Sequence, residues 1–306
     1  MFMLHLLDGI MRLPHIGELL SLLSAVVWAM SVILFRIAGD TIHPLAMNLF
    51  KNWLALGLLA VTAVLAGSAV PSVTPGTVGM FVLSGVLGIA LSDWLFLTAL
   101  VKLGAELTAI VDCAYSPFVI GLSFLFLGER MNGLQVVGVV LIVGAVLLIT
   151  QKKSDEKISR NALLAGVGIG VISMLFTAAG IVMVKPLLSS TPILWATLFR
   201  MIGGAVAGTI LWGAHPRRRE LIRQLRSGAN FKILIPASVL SAYLSVLIWM
   251  AGMKYTEASI ASALNQLNTI FIFLLAAVIL KEKITPLKLA AVILAIAGAI
   301  LVSVPF

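Results

Sequence analysis

Residues 105–148, AELTAIVDCAYSPFVIGLSFLFLGERMNGLQVVGVVLIVGAVLL, return at 258–301 as ASIASALNQLNTIFIFLLAAVILKEKITPLKLAAVILAIAGAIL, with a constant shift of 153 and no gap. Under that shift Asp112 falls on Asn265, Tyr115 on Asn268, Ser116 on Thr269, and Glu129-Arg130 on Glu282-Lys283. Nine of the 44 pairs are identical, Leu134, Val139, Leu141 and Leu148 among them. An apolar alphabet supplies several identities by chance, so the repeat rests on matched polar positions and matched helix ends.

Outward from this stretch the chain is apolar throughout. It is 61% hydrophobic and 11% charged, where a soluble domain would carry roughly a quarter charged residues. Runs of about 20 residues, long enough for about 30 Å of hydrocarbon, fall near 16–37, 44–66, 77–100, 105–127, 134–151, 161–183, 193–213, 232–252, 257–280 and 287–304. They are too long and too evenly apolar for an outer-membrane barrel. The expected fold is an all-α polytopic membrane protein of ten transmembrane helices. These divide at the hydrophilic link Gln151-Lys152-Lys153-Ser154-Asp155-Glu156-Lys157 into two five-helix repeats, 16–151 and 161–304. An odd number of spans per repeat inverts the second relative to the first, and inverted repeats place a solute site where the two copies meet.

The net charge of +9 sits in links between spans, which excludes nucleic acid as the partner it implies and leaves the lipid bilayer. Arg12, Arg130, Lys185 and Lys254 mark the face holding the N-terminus. The opposite face carries fifteen: Arg36, Lys102, Lys152, Lys153, Lys157, Arg160, Arg217, Arg218, Arg219, Arg223, Arg226, Lys232, Lys281, Lys283 and Lys288. The positive-inside rule makes that second face cytoplasmic and puts both termini outside. Residues 217–226, with Leu221, Ile222 and Leu225 interleaved, read as a segment lying along the anionic leaflet or as a solvated loop. The first fifteen residues lack a basic start and a small-residue cleavage site, so no removable signal peptide is expected. Cys113 is the sole cysteine, so no internal disulfide forms.

Polar side chains within spans cost roughly 2.5–3.5 kcal/mol each on insertion scales and usually face the bundle interior. Thr108, Asp112, Tyr115 and Ser116 follow one helical stripe, matched by Ala261, Asn265, Asn268 and Thr269. Their two readings are a solute-lining surface and interhelical hydrogen bonds. Gln266 points away from that stripe, as packing. Lys51 and Arg200 each lie about two turns past a proline, Pro44 and Pro192, roughly 11 Å deep. Either they snorkel to the headgroups, or they turn inward to neutralise Asp112 or to receive an anionic solute group. Asp93, whose mate is Val246, and Asp112 are the candidate proton carriers, with a fixed ion pair or hydrogen bond as the alternative. Trp28, Tyr243 and Trp249 read as stacking surfaces or interfacial anchors. Glu129 and Glu282, each beside a cation, read as structural charge pairs at tight turns. The glycines at 85, 88, 138, 144, 203, 204 and 208 let helices approach closely.

Leu127-Gly128-Glu129-Arg130, followed by Gln135-Val136-Val137-Gly138 and a glycine- and alanine-rich span, resembles the end of the EamA unit of the drug/metabolite transporter superfamily. Leu19 to Trp28, running on to Arg36, is similar to that unit's first helix. The second half is similar more weakly, with Lys281-Glu282-Lys283 in place of the Gly-Glu-Arg pattern. The resemblance covers nearly the whole chain. It implies ten helices, a central cavity, alternating access often coupled to protons, and both termini in the cytoplasm, against the charge count. The first-helix glutamate that related small multidrug exporters use has no counterpart, since Glu18 lies near the helix start. The expected function is a secondary transporter, an exporter, of small polar or amphipathic solutes, amino-acid-like or drug-like, in the plasma membrane. No cofactor or metal is expected, and a homodimer is left open. An intramembrane enzyme has little to build on. No His-Glu-x-x-His motif occurs, and Asp93 and Asp112 lack the glycine-flanked setting of an aspartyl dyad. A non-transporting receptor or scaffold is the remaining alternative.

Overall fold

The computed structural model describes residues 15–128, 132–150, 159–226, 231–282 and 284–302, and every regular element among them is a helix. α1 is Ile16–Ala38, α2 Pro44–Leu65, α3 Pro75–Leu103, and α4 the pair Ala105–Asp112 and Tyr115–Phe126. α5 is Gly133–Thr150, α6 Arg160–Val184 and α7 Ile193–Ala214. A short α8, Arg218–Arg226, precedes α9, Phe231–Tyr255. α10 is the pair Ala258–Asn265 and Asn268–Ile279, and α11 is Pro286–Val302. Among the described residues seven helices are long and apolar enough to cross a membrane. The apolar stretches of α5, α10 and α11 are shorter.

Local chemistry sets the helix ends. Pro44 and Pro75 occupy first-turn positions, where the missing N–H costs nothing. Thr74 Oγ1 accepts from Thr77 N at 3.2 Å and Ser159 Oγ from Ala162 N at 3.3 Å, each satisfying an orphan donor of the helix that follows. At the other ends Gly128 takes φ 71 and Lys281 φ 53. These positions are repeat-mates, so the same left-handed turn closes α4 on a glycine and α10 on a lysine.

The internal symmetry extends to irregularities that residue identity does not announce. π-helical turns occupy Val86–Leu91 in α3 and Val239–Ser245 in α9, starting at positions 153 apart. The breaks in α4 at Cys113-Ala114 and in α10 at Gln266-Leu267 are also 153 apart. In α4, Pro117 cannot donate to the Cys113 carbonyl, which explains the break. Its mate Ile270 bonds instead to the carbonyl of Leu267, three residues back, and nothing in the sequence there marks the break.

α2 packs on α7 and α5 on α11, pairing equivalent helices of the two halves, while α3 lies against α6 and α1 against α9. Several crossings are backbone on backbone. A Cβ on Gly85 would sit 1.8 Å from the Arg200 carbonyl oxygen, one on Gly203 2.0 Å from that of Val82, and one on Gly298 2.7 Å from that of Gly138. Gly144, by contrast, has open space around it. The outer surface is apolar, with Val64, Leu65, Leu125, Phe126 and Val278 all exposed, as a chain surrounded by lipid requires.

The basic segment is helical. Leu221 on α8 is buried and Leu225 packs against the core, so its apolar side faces the protein. The backbone N–H of His43 donates to Gln224 Oε1 at 2.9 Å, fastening α8 to the start of α2. Of the expected charge pairs at the turns, Glu129, Arg130 and Lys283 lie outside the described residues. The Glu282 carboxylate accepts from the backbone N–H groups of Ala105 and Glu106 at 3.2 and 3.4 Å. Its task is thus to cap α4, where negative charge meets the positive end of the helix dipole.

Candidate functional site

A cavity of about 800 Å³, counting the part that opens outward, lies between the two halves. From the first half come Trp28, Lys51, Asp93, Phe96, Asp112 and Tyr115. From the second come Met174, Arg200, Ser245, Trp249, Asn265 and Asn268. Both π turns border it, through Gly88 and Ile89 on α3 and Ser241 and Ala242 on α9. Single π turns within α-helices occur frequently at functional sites.

Lys51 and Arg200 both turn inward and are 2% exposed. Their environments differ. Lys51 Nζ donates to Asp93 Oδ2 at 2.5 Å and to Asn52 Oδ1 at 2.9 Å, so its carboxylate is Asp93 and not Asp112. Arg200 reaches no carboxylate within ion-pair distance among the described residues. Its guanidinium stacks over the Trp249 ring, 5.3 Å from the centroid, and Nη1 meets only the Met250 sulfur at 3.0 Å. Gly88 leaves the room it needs, since a Cβ there would stand 3.2 Å from Nη2.

Across the cavity Asn268 Nδ2 donates to Asp112 Oδ2 at 2.9 Å, joining repeat-related helices α4 and α10. Asn265 Oδ1 accepts from Ser24 Oγ at 3.0 Å. Gln266 Nε2 donates to the Asp112 carbonyl at 3.3 Å, a packing contact. Buried polar groups of this kind are normally all paired. Here Arg200 Nε has no hydrogen-bond partner, while the Tyr115 hydroxyl and the Trp249 side chain interact with each other.

Four of the sequence-selected residues lie away from the cavity. Thr108 Oγ1 donates to the Gly104 carbonyl at 2.7 Å and Thr269 Oγ1 to that of Ala109 at 3.1 Å. Ser116 is buried beyond the bend at Cys113. Tyr243 shares a 2.6 Å hydrogen bond with Thr62. The cavity takes Asp112 and Tyr115 from either side of the break in α4 and Asn265 and Asn268 from either side of that in α10, and Thr108, Ser116 and Thr269 are left to packing.

Sequence reasoning missed two features. One is a symmetric pair of hydroxyl contacts: Ser92 Oγ donates to the Ser173 carbonyl at 2.8 Å, and Ser245 Oγ to that of Ser24 at 3.3 Å. Ser92 and Ser245 are 153 apart, so the repeat could have flagged them. The other is the buried pair Glu106 and Lys288, joining the start of α4 to α11. Glu106 stands next to the quoted alignment's first residue, yet its mate Ser259 is neutral, and a search for matched charge passes over it.

The family model of EamA-like transporters matches residues 15–151 and, a second time, residues 164–304. The chain belongs to the EamA-like transporter family. Two family units in tandem agree with the repeat and with the all-helical, membrane-embedded architecture. A solved structure described only as a crystal structure of a protein aligns with this EamA chain at a TM-score of 0.67 and 14% identity, covering 94% of this chain and 97% of that one. Likeness at that identity carries the fold alone. A search among curated proteins finds no match.

Proposed function

We propose that this protein is a secondary transporter, an exporter, of small polar or amphipathic solutes. Its cavity opens alternately to the two sides of the plasma membrane as two inverted five-helix repeats rock against each other. The ten spans are α1–α7 and α9–α11, with α8 an interfacial helix. One observation carries the reading: corresponding residues of the two repeats, Lys51 with Arg200, Asp112 with Asn265 and Tyr115 with Asn268, converge on one cavity. A site built equally from both halves is what a rocking mechanism requires. The hydroxyl contacts Ser92 to Ser173 and Ser245 to Ser24 supply equivalent short hinges beside it. The Lys51–Asp93 pair is the candidate for proton coupling, and no catalytic role is assigned to either aspartate.

Purified protein in liposomes, loaded with a mixture of unlabelled metabolites and given labelled amino acids, nucleotide sugars and organic cations outside, tests this by counterflow. Accumulation of at least one label, abolished by a bulky residue at Asn265, is expected. Binding without any flux would replace the transporter with a receptor. For orientation, the charge count puts both termini outside. Val70, 71% exposed in the link between α2 and α3, would then take an impermeant maleimide from outside as Val70→Cys in a Cys113→Ala background. Labelling only after permeabilisation would reverse the orientation.

A further inference from the structure

α8 has no equivalent in the first half. It lies in the link from α7 to α9, and the corresponding link from α2 to α3, residues 66–74, holds neither a helix nor a charged residue. The bond between His43 and Gln224 sets α8 against the start of α2, while the first-half link follows the other end of α2, so the two links lie on opposite faces of the membrane. From His215 to Lys232 stand six basic residues and one acid, Glu220. Glu220 acts on His43, on the α2 side of the helix. Leu221 is buried and Leu225 packs against the core, which turns the apolar edge to the protein. Arg218 is committed to α7, its Nη1 donating to the Gly213 carbonyl at 2.8 Å. Arg217, Arg219 and Arg223 are exposed, and among the described residues none of the three side chains forms an ion pair or a hydrogen bond. Arg219 and Arg223, four residues apart on a helix, share one edge.

Trp212 marks the depth. It is half-buried near the end of α7, its indole Nε1 donates to the Arg218 carbonyl at 3.0 Å, and indoles gather at the headgroup level of a membrane. Phe231, which opens α9, packs on Phe50 with ring centroids 5.5 Å apart. α8 therefore lies in the headgroup layer with its free guanidinium groups turned from the protein, and the planar fork of a guanidinium matches the oxygens of a phosphate. We propose that Arg217, Arg219 and Arg223 bind the phosphates of anionic phospholipids, and that the bound lipid holds the neighbouring ends of α2 and α7 together. The hold runs through contacts α8 already makes: Gln224 takes the His43 N–H at the start of α2, and Arg218 and Trp212 tie the helix to the end of α7. A zwitterionic lipid carries its own ammonium beside each phosphate and gains little from the arginines. The site lies outside the cavity, and nothing in it depends on transport.

The test titrates the purified protein in a non-ionic detergent with dioleoyl phosphatidylglycerol, dioleoyl phosphatidylcholine or glycerol 3-phosphate. Bound lipid is counted by native mass spectrometry and melting is followed in parallel. Phosphatidylglycerol is expected to bind more tightly than phosphatidylcholine and to raise the melting temperature. With Arg217→Gln, Arg219→Gln and Arg223→Gln combined, the protein should melt with wild type when no lipid is added, because the three side chains are exposed and unpaired. Its affinity for phosphatidylglycerol should fall roughly fivefold for each arginine removed. The same three changes to lysine should keep most of that affinity, and Lys102→Gln, which removes an exposed cation at the end of α3 on the same face, should bind as wild type does. Equal phosphatidylglycerol affinity in wild type and the glutamine variant overturns the site, as does equal binding of the two lipids by wild type or an equal loss in Lys102→Gln. A melting shift from glycerol 3-phosphate as large as that from phosphatidylglycerol also overturns it, in favour of a site for a free anion. No readout here involves flux, so failure of this site and failure of the transporter reading are told apart by the counterflow result.

Discussion

Gly85→Ala should dislodge Arg200 without touching it. The added Cβ would lie 1.8 Å from the Arg200 carbonyl oxygen, and it must retreat by about 1.2 Å to reach 3.0 Å, the shortest separation real side chains tolerate. The obstacle is backbone on α7, which no rotamer change relieves. Replacing glycine by alanine within a helix gains about 1 kcal/mol of intrinsic propensity, and overpacking costs roughly 1–3 kcal/mol. The expected net is therefore a loss of up to about 2 kcal/mol, together with a shift of α7 against α3. Gly144→Ala supplies the control: it makes the same chemical change where the new Cβ meets nothing within 4 Å, so its propensity gain should appear undiminished. Thermal unfolding in detergent, with titration of each variant by the solute that counterflow identifies, reads both effects. Gly85→Ala should melt below wild type and bind at least several-fold more weakly, while Gly144→Ala melts at or above wild type and binds normally. Equal melting of the two variants with equal binding would refute the claim that the α3–α7 crossing positions the cation.

Lys281→Gly should raise stability by about 1 kcal/mol, because a non-glycine residue at φ 53 carries a penalty of that order, whereas Lys281→Ala should not; comparative melting decides. Glu282→Ala removes the cap on α4 and should cost about 1 kcal/mol, and Glu282→Gln should recover part of it in the same assay. Lys51→Met strands the Asp93 carboxylate and should cost about 3 kcal/mol, most of which Lys51→Met with Asp93→Leu should restore; equal stability of the single and double variants would argue against the pair. His43 lies outside the spans, and burial, then His215 and Arg217, push its pKa below the ordinary 6.5, against an opposing pull from Glu220. Its Nδ1 accepts from Leu45 N at 3.2 Å, which only the neutral ring can do. A depressed histidine pKa makes its contribution present above about pH 6.5 and lost as pH falls through the folded value, so melting scanned from pH 8 to 5 should drop on the acid side, less so in His43→Asn.

The duplication, the apolar spans and the paired cations were legible because each is a matter of spacing along one chain. Partnership across helices was not. Lys51 and Asp93 are 42 positions apart, and periodicity says which way each faces without saying which helix it meets. Pro117 marks the bend in α4, yet Ile270 marks nothing in α10, where the bend follows from symmetry and not from local chemistry. Tyr243 shows the same limit. It falls inside a π turn, where the angular step assumed for an α-helix no longer applies, and it turns to Thr62. Arg200 was legible as a cation at depth, but its isolation became visible only when every neighbour was known.

The matched π turns have a mechanical consequence. Each holds one residue more than the α-helical path through it, and letting that residue go would rotate the rest of the helix by about 100° and advance it about 1.5 Å. In α3 the residues carried round would be Ser92 and Asp93, which would take the carboxylate off Lys51 and the hydroxyl off Ser173. In α9 the same slip would carry Ser245 away from Ser24. A local slip in either wall would thus change what a solute meets, and in α3 the glycine crossings at Gly85 and at Val82 on Gly203, which precede the turn, would stay closed.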